Sequence, residues 1–161
     1  MEAKISKIKL NFPASLRLNN DLDQSVYKEE LVHIREAQPA TSLREKFYRF
    51  GKNSDMATGI MFHGTHHEDI DPICRSGMHR DSYFTSSFGY AVGRAHYKEW
   101  RNKERGYMHC WPGGHKDVCV LAMAVLVRKD DEWMIRRRDE SFLNSDIFLP
   151  LFVITVRITY K

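Results

Sequence analysis

The chain has 161 residues, 42% of them hydrophobic and 29% charged, with nine Phe, seven Tyr and three Trp. That length supports one domain burying about two thirds of its unfolded surface, and the composition excludes a disordered or low-complexity chain. The net charge of +4 and the pI near 9.0 assist the approach of an anionic ligand, yet they are equally those of an ordinary solvated surface.

No apolar run approaches the ~20 residues needed to span a bilayer. Lys4, Lys7 and Lys9 interrupt any apolar signal segment after Met1. A cytoplasmic or nuclear protein with no membrane partner is therefore expected. Cys74, Cys110 and Cys119 are odd in number and lack a C-x-x-C spacing, which argues against a disulfide framework.

In chain order, Ile8, Leu10 and Phe12 alternate as in a strand that Pro13 ends or leaves at an edge, and Asn19-Asn20-Asp21 reads as a turn. From Tyr27 to Glu36 a half-buried strand is expected, with Val32 and Ile34 on one face and His33 and Arg35 on the solvent side. Ser42 and Glu45 have capping-box spacing at the start of a helix. Leu43, Phe47 and Phe50 form its apolar stripe and Gly51 its stop. The next strand runs through Ile60-Met61-Phe62 into His63-Gly64-Thr65, a polar step at a strand end, where ligands often gather.

Thr65 and Glu68 also have capping-box spacing, but a helix starting there would carry Pro72 in its interior at a cost of ~3 kcal/mol. A shorter helix capped by Asp69 or Asp71 and ended by Gly77 is preferred. Tyr83-Phe84 reads as a short strand, and Ser86 or Ser87 caps a helix whose buried face is Phe88, Ala91, Val92 and Ala95, with Tyr97 and Trp100 as candidates to extend it. Residues 102 to 117 read as a loop. Val118 to Val127 is apolar on both faces, as in a central strand. Trp133 to Arg137 reads as a strand and Leu151 to Thr159 as the closing one. The order gives a single α+β domain, residues 1 to 161, whose C-terminal half is mainly antiparallel sheet.

Eight His and three Cys invite a metal test. Neither His63, His66 and His67 nor Cys110, His115 and Cys119 matches a standard zinc spacing, and no metal is expected. Cys74, mid-helix, reads as a small core residue rather than a nucleophile.

The segment from Glu30 to Tyr97 resembles the catalytic domain of the poly(ADP-ribose) polymerase superfamily, the ADP-ribosyltransferases of diphtheria-toxin type. The resemblance is carried by Val32-His33-Ile34, Leu43 with Phe47-Tyr48, Met61-Phe62-His63-Gly64-Thr65, Ile73 with Gly77-Met78, and Tyr83-Phe84 followed by the helix from Ser86 to Tyr97. It implies an ADP-ribosyltransferase-like fold, a mainly antiparallel split sheet with a few short helices around an NAD cleft. It also implies NAD as substrate, transfer of ADP-ribose to a protein or nucleic-acid acceptor, and release of nicotinamide. By position, His63 would bond the adenosine ribose, the Gly64 backbone would hold the nicotinamide carboxamide, and Tyr83 would stack on the nicotinamide ring. Thr65, Phe84, Tyr90, Ala91 and Tyr97 complete the implied NAD-binding set. An aromatic face suits a flat cation, and a glycine lets its backbone approach an amide closely.

The chain departs from the family pattern in three places. Leu151 occupies the position of the Glu that polymerising members use, and no acidic residue lies between Leu149 and Lys161, which implies transfer of single ADP-ribose units or lost activity. The loop Met78-His79-Arg80-Asp81-Ser82 is short and lacks the Gly that normally precedes the Tyr-Phe strand. An ungapped reading puts the family's carboxamide-binding Ser on Ala91 and its second stacking Tyr on Arg94, while a shift of three residues brings Tyr97 to the stacking position; both registers stand. An inactive domain that binds protein or RNA through Arg101 to Arg105 and Arg136 to Arg138 is the alternative. The His-Gly-Thr step and short loop also resemble NAD-dependent RNA 2′-phosphotransferases, which the Leu43 helix and Tyr83-Phe84 fit less well.

Overall fold

The sheet is built outward from its two most apolar segments. The computed structural model describes residues 27–78, 84–101, 113–136 and 147–161. In it β1 (Tyr27–Glu36), β2 (Met56–Thr65), β3 (His115–Arg128) and β4 (Phe148–Tyr160) form an antiparallel sheet in the order β1-β4-β3-β2. The helices are α1 (Thr41–Gly51), α2 (Ile70–Ser76), α3 (Phe88–Arg101) and α4 (Glu132–Arg136). The chain is thus an α+β protein. The apolar run expected at Val118 to Val127 is buried throughout and lies centrally, as its two-sided pattern demands.

Alternation along β3 divides the core into two layers. Val120, Ala122, Ala124 and Leu126 face Phe88, Ala91, Val92 and Ala95 of α3, with Phe47 of α1. Cys119, Leu121, Met123, Val125 and Val127 face Ile70, Ile73 and Cys74, with Phe84, Met61 and Ile135. Both layers are buried, so removing a large side chain from either should cost about 2–5 kcal/mol.

Pro150 lies within central β4, where a missing N–H is tolerated only at an irregularity. Here Ala122 pairs with Phe152 and Met123 with Pro150, so Leu151 is the extra residue of a bulge. Its carbonyl accepts a 2.8 Å hydrogen bond from the Ala37 N–H, which ties the end of β1 to β4.

Several local expectations are corrected. Val32 is not core: the β1–β4 register shifts between Leu31 and His33, and Val32 is 44% exposed. Alternation alone cannot reveal a bulge, which inverts the pattern at one residue. The Ser42–Glu45 capping box does not form, because the helix begins at Thr41 with Ala40 as its cap and no side-chain cap bond. Ala40 is instead pinned by its N–H to the Cys74 carbonyl at 2.8 Å, so tertiary contact sets the start. Phe50 leaves the apolar stripe at 41% exposure, with the Arg49 guanidinium 5.2 Å from its ring centre.

The strand expected from Trp133 is helix α4, which follows a 3-10 turn at Lys129–Asp131. Asp131 and Glu132 suit a helix start electrostatically, and Ile135 packs directly over Gly59 of β2. The short helix after the His-Gly-Thr step does form as α2, with Pro72 in its first turn and Gly77 at φ 87° closing it through a 2.9 Å N–H bond to the Ile73 carbonyl. Neither Asp69 nor Asp71 caps it through a side chain. The Thr65–Glu68 box is likewise absent, since Thr65 Oγ1 lies 3.3 Å from Asp69 Oδ2, not at a helix N-terminus. The strand expected at Ile8 to Phe12 lies outside the described residues. Among the described residues no helix is long and apolar enough to cross a membrane.

Candidate functional site

The C-terminal end of β2 gathers the expected site residues onto two faces of one strand. His63 is 5% exposed and shares its face with Met61, which packs in the layer of α2. Phe84 belongs to the same layer, and its ring centre stands 6.3 Å from that of His63, tilted by 58°. Thr65 follows on this face, fully buried and joined to Asp69. His63, Thr65 and Phe84 therefore come together.

Gly64 points to the opposite face, where α3 crosses the strand. A Cβ there would overlap the Ala91 carbonyl oxygen and stand 2.8 Å from the Ala95 nitrogen. The glycine is thus required by helix–strand approach, whatever else its backbone does. Ala91 is brought against Gly64 by this packing.

On the outer edge of β2, Phe62 pairs with Thr85. Phe62 donates to the Thr85 carbonyl at 2.7 Å and accepts from the Thr85 N–H at 3.0 Å. Of the expected Tyr83-Phe84 strand, Tyr83 lies outside the described residues, and the bridge described is that of Thr85 with Phe62. In an antiparallel strand alternate residues direct N–H and C=O to the same edge. Gly64 therefore turns its amide and carbonyl to the edge that Thr85 meets two residues earlier. Thr85 leads into α3 by a local chain of bonds: the Ser87 N–H donates to Thr85 Oγ1 at 3.1 Å, and the Tyr90 N–H to Ser87 Oγ at 3.2 Å. Ser87 is the cap of that helix.

Tyr90 lies in the first turn of α3, half-buried. Tyr97 lies in the same helix, its side chain outside what is described. Leu151 does not join His63. It is 1% exposed in the layer of α3, whereas His63 occupies the other face, in line with Leu121 and Val153. It is also two strands from β2, roughly 10 Å along the sheet.

Among the described residues no group of three His, Cys, Asp or Glu side chains is placed to hold a metal ion. Cys74 is buried, and burial pushes its thiol above the usual range, against a smaller lowering by the Gln38 backbone. It is a protonated core thiol. Cys110 lies outside the described residues. Just past the end of β2, Asp117 stands two residues along β3 from Cys119, the partner of Thr65; Arg157 Nε donates to its Oδ1 at 2.8 Å and the Arg157 NH2 group to its Oδ2 at 3.0 Å across the β3–β4 pair. That hydrogen bond and the guanidinium charge hold the Asp117 carboxyl below the usual carboxylate range.

Sequence spacing does not identify Thr85, Asp69 or Gly59 as partners of this end of the sheet. Gly59 carried a readable signal, since a glycine inside a strand pattern marks close approach of a neighbour. Thr85 and Asp69 carried none, because their roles depend on which atoms meet after folding. The chain matches no protein-family model, and no curated protein matches it either.

Proposed function

We propose that the protein is an NAD-dependent mono-ADP-ribosyltransferase of the poly(ADP-ribose) polymerase type, with NAD as substrate and a protein or nucleic-acid acceptor. The observation that carries this reading is the end of β2. A buried histidine beside the Phe84 ring is followed by a glycine that turns an adjacent donor and acceptor to the strand edge. One N–H and one C=O on the same edge are complementary to a primary carboxamide, which carries one acceptor and two donors. In this reading His63 bonds a ribose hydroxyl, Gly64 the carboxamide, and Tyr83 stacks on the ring. Breaking the glycosidic bond builds positive charge on the ribose, so holding both ends of the dinucleotide in line supplies the rate.

The resemblance aligns Leu151 with the polymerase Glu, which implies transfer of single units; in the fold Leu151 lies on the face opposite His63, so this part of the reading rests on the alignment alone. The burial of Leu151 in an apolar layer also favours a second reading, an inactive relative that binds protein or RNA. Incubation with NAD labelled in its adenylate part, read as label on acceptor, separates the two. Thermal stability is measured alongside with increasing NAD for the wild type, His63→Ala and Tyr83→Ala. Label transfer, or stabilisation that follows mass action and vanishes in both variants, supports the enzyme. Absence of binding at millimolar NAD leaves the binding module.

A further inference from the structure

We propose that the protein forms a two-fold symmetric dimer in which β1 pairs antiparallel with β1 of a second copy, continuing the sheet across the two molecules. This contact is independent of the NAD site.

β1 is the end strand of the sheet, and among the described residues no strand pairs with its outer side. Its middle is apolar where it meets solvent, with Leu31 38% exposed and Val32 44%. A ten-residue end strand that presents such side chains is a template for another strand.

The irregularity in β1 decides which strand fits. The β1–β4 register shifts between Leu31 and His33, so Val32 is an extra residue. Before it Leu31 stands opposite Val156, and after it Ile34 stands opposite Ile154, both on the face that α3 covers. Glu30 and Arg35, exposed and opposite Arg157 and Val153, lie on the other face. A regular strand laid along β1 matches these faces on one side of Val32 only, which is how a bulge ordinarily protects an edge. A second copy carries the same extra residue. Turned about a two-fold axis that passes between Val32 and His33, it sets its own irregularity against that of the first copy, and the faces agree on both sides.

Charge fixes the register. With the axis between Val32 and His33, Leu31 meets Ile34 of the second copy and Glu30 meets Arg35 of the second copy, each pair twice by symmetry. Glu29 then falls opposite Glu36 of the second copy, but each of these takes part in an interaction within its own chain, and the Glu29 carboxylate oxygens are shut off from solvent. Moving the axis one residue, to lie between Leu31 and Val32, sets Lys28 against Arg35 and Ile34 against Glu29, which opposes like charges and places an apolar side chain on a carboxylate. Other positions of the axis break the match of faces.

Strand pairing alone is a small interface, so a dissociation constant of roughly 10–100 µM is expected. Sedimentation equilibrium of the whole chain through and above that range should show the mass rise from 18.9 kDa toward twice that value and no further. Glu30→Arg turns both symmetric pairs into like charges and weakens association by about 2- to 30-fold, and Glu30→Arg combined with Arg35→Glu restores it. A short thiol-reactive cross-linker should join two Val32→Cys chains, which meet beside the axis, beyond any joining of the wild type. It should not join two Lys28→Cys chains, whose thiols are roughly 30 Å apart along the paired strands. A mass that stays at 18.9 kDa throughout, growth beyond two copies, association unchanged by Glu30→Arg, or equal cross-linking at the two positions overturns the proposal. The wild-type mass and the contrast between Val32→Cys and Lys28→Cys decide the matter even if Glu30→Arg does not fold.

Discussion

Gly64→Ala and Gly59→Ala both add one methyl group to β2, and the structure separates their consequences. At Gly64 the obstacle is backbone: the new Cβ overlaps the Ala91 carbonyl oxygen and stands 2.8 Å from the Ala95 nitrogen. No rotamer change moves those atoms, so α3 as a whole must retreat from the sheet. Loss of close packing along the helix of this kind costs about 1–3 kcal/mol, or a melting temperature lowered by roughly 2–12 °C for a chain of this size. At Gly59 the obstacle is side chain: the new Cβ overlaps Cγ2 of Ile135 and lies 2.9 Å from its Cβ. Ile135→Ala deletes the overlapping group. Urea unfolding of the single and double variants gives two cycles. Gly59→Ala with Ile135→Ala should show a favourable coupling of at least about 0.5 kcal/mol, whereas Gly64→Ala with Ala95→Gly should be additive, because the backbone remains. A Gly64→Ala protein within about 0.5 kcal/mol of wild type, or one recovered by Ala95→Gly, would refute the close approach of α3 to β2.

Three further outcomes are expected. Leu151→Glu places an unpaired carboxylate in the apolar layer beneath α3 and should destabilise by roughly 3–5 kcal/mol near neutral pH, less in acid where the carboxyl is protonated; chemical denaturation at the two pH values measures this, and an indifferent Leu151→Glu would contradict its burial. Asp117 has a lowered folded value, so its contribution is complete above the ordinary carboxylate value and is lost as pH falls through the folded one. The acid side of the stability–pH curve should therefore flatten in Asp117→Asn, and an unchanged slope there counts against the Arg157 pair. Cys74 and Cys119 are buried, so alkylation followed by mass spectrometry should label them only as fast as the chain opens, and rapid labelling under native conditions would be inconsistent with their burial.

Some features were readable because the physics that fixes them is local. Val118 to Val127 is apolar on both faces, and only a central strand satisfies such a run. Pro72 could be accommodated only in a first turn, which placed α2 and its glycine stop. At the site, His63 at a strand end and a serine cap at Ser86 or Ser87 were legible, since each depends on neighbours a few residues away; the fold selects Ser87.

What tertiary structure decided is of another kind. Trp133 to Ile135 has the composition of a strand, yet it is helical because Ile135 must pack over Gly59 on a sheet whose pairing already ends at Arg128. The bulge at Val32 and the one at Leu151 shift side chains relative to simple alternation. The second of these leaves Leu151 on the face opposite His63, which no spacing argument could reveal. The sequence by itself determined which segments are buried and where the polar step falls, because burial and capping are written in nearest neighbours. Only the folded sheet decided which face each site residue occupies, because register and helix azimuth are properties of segments packed against one another.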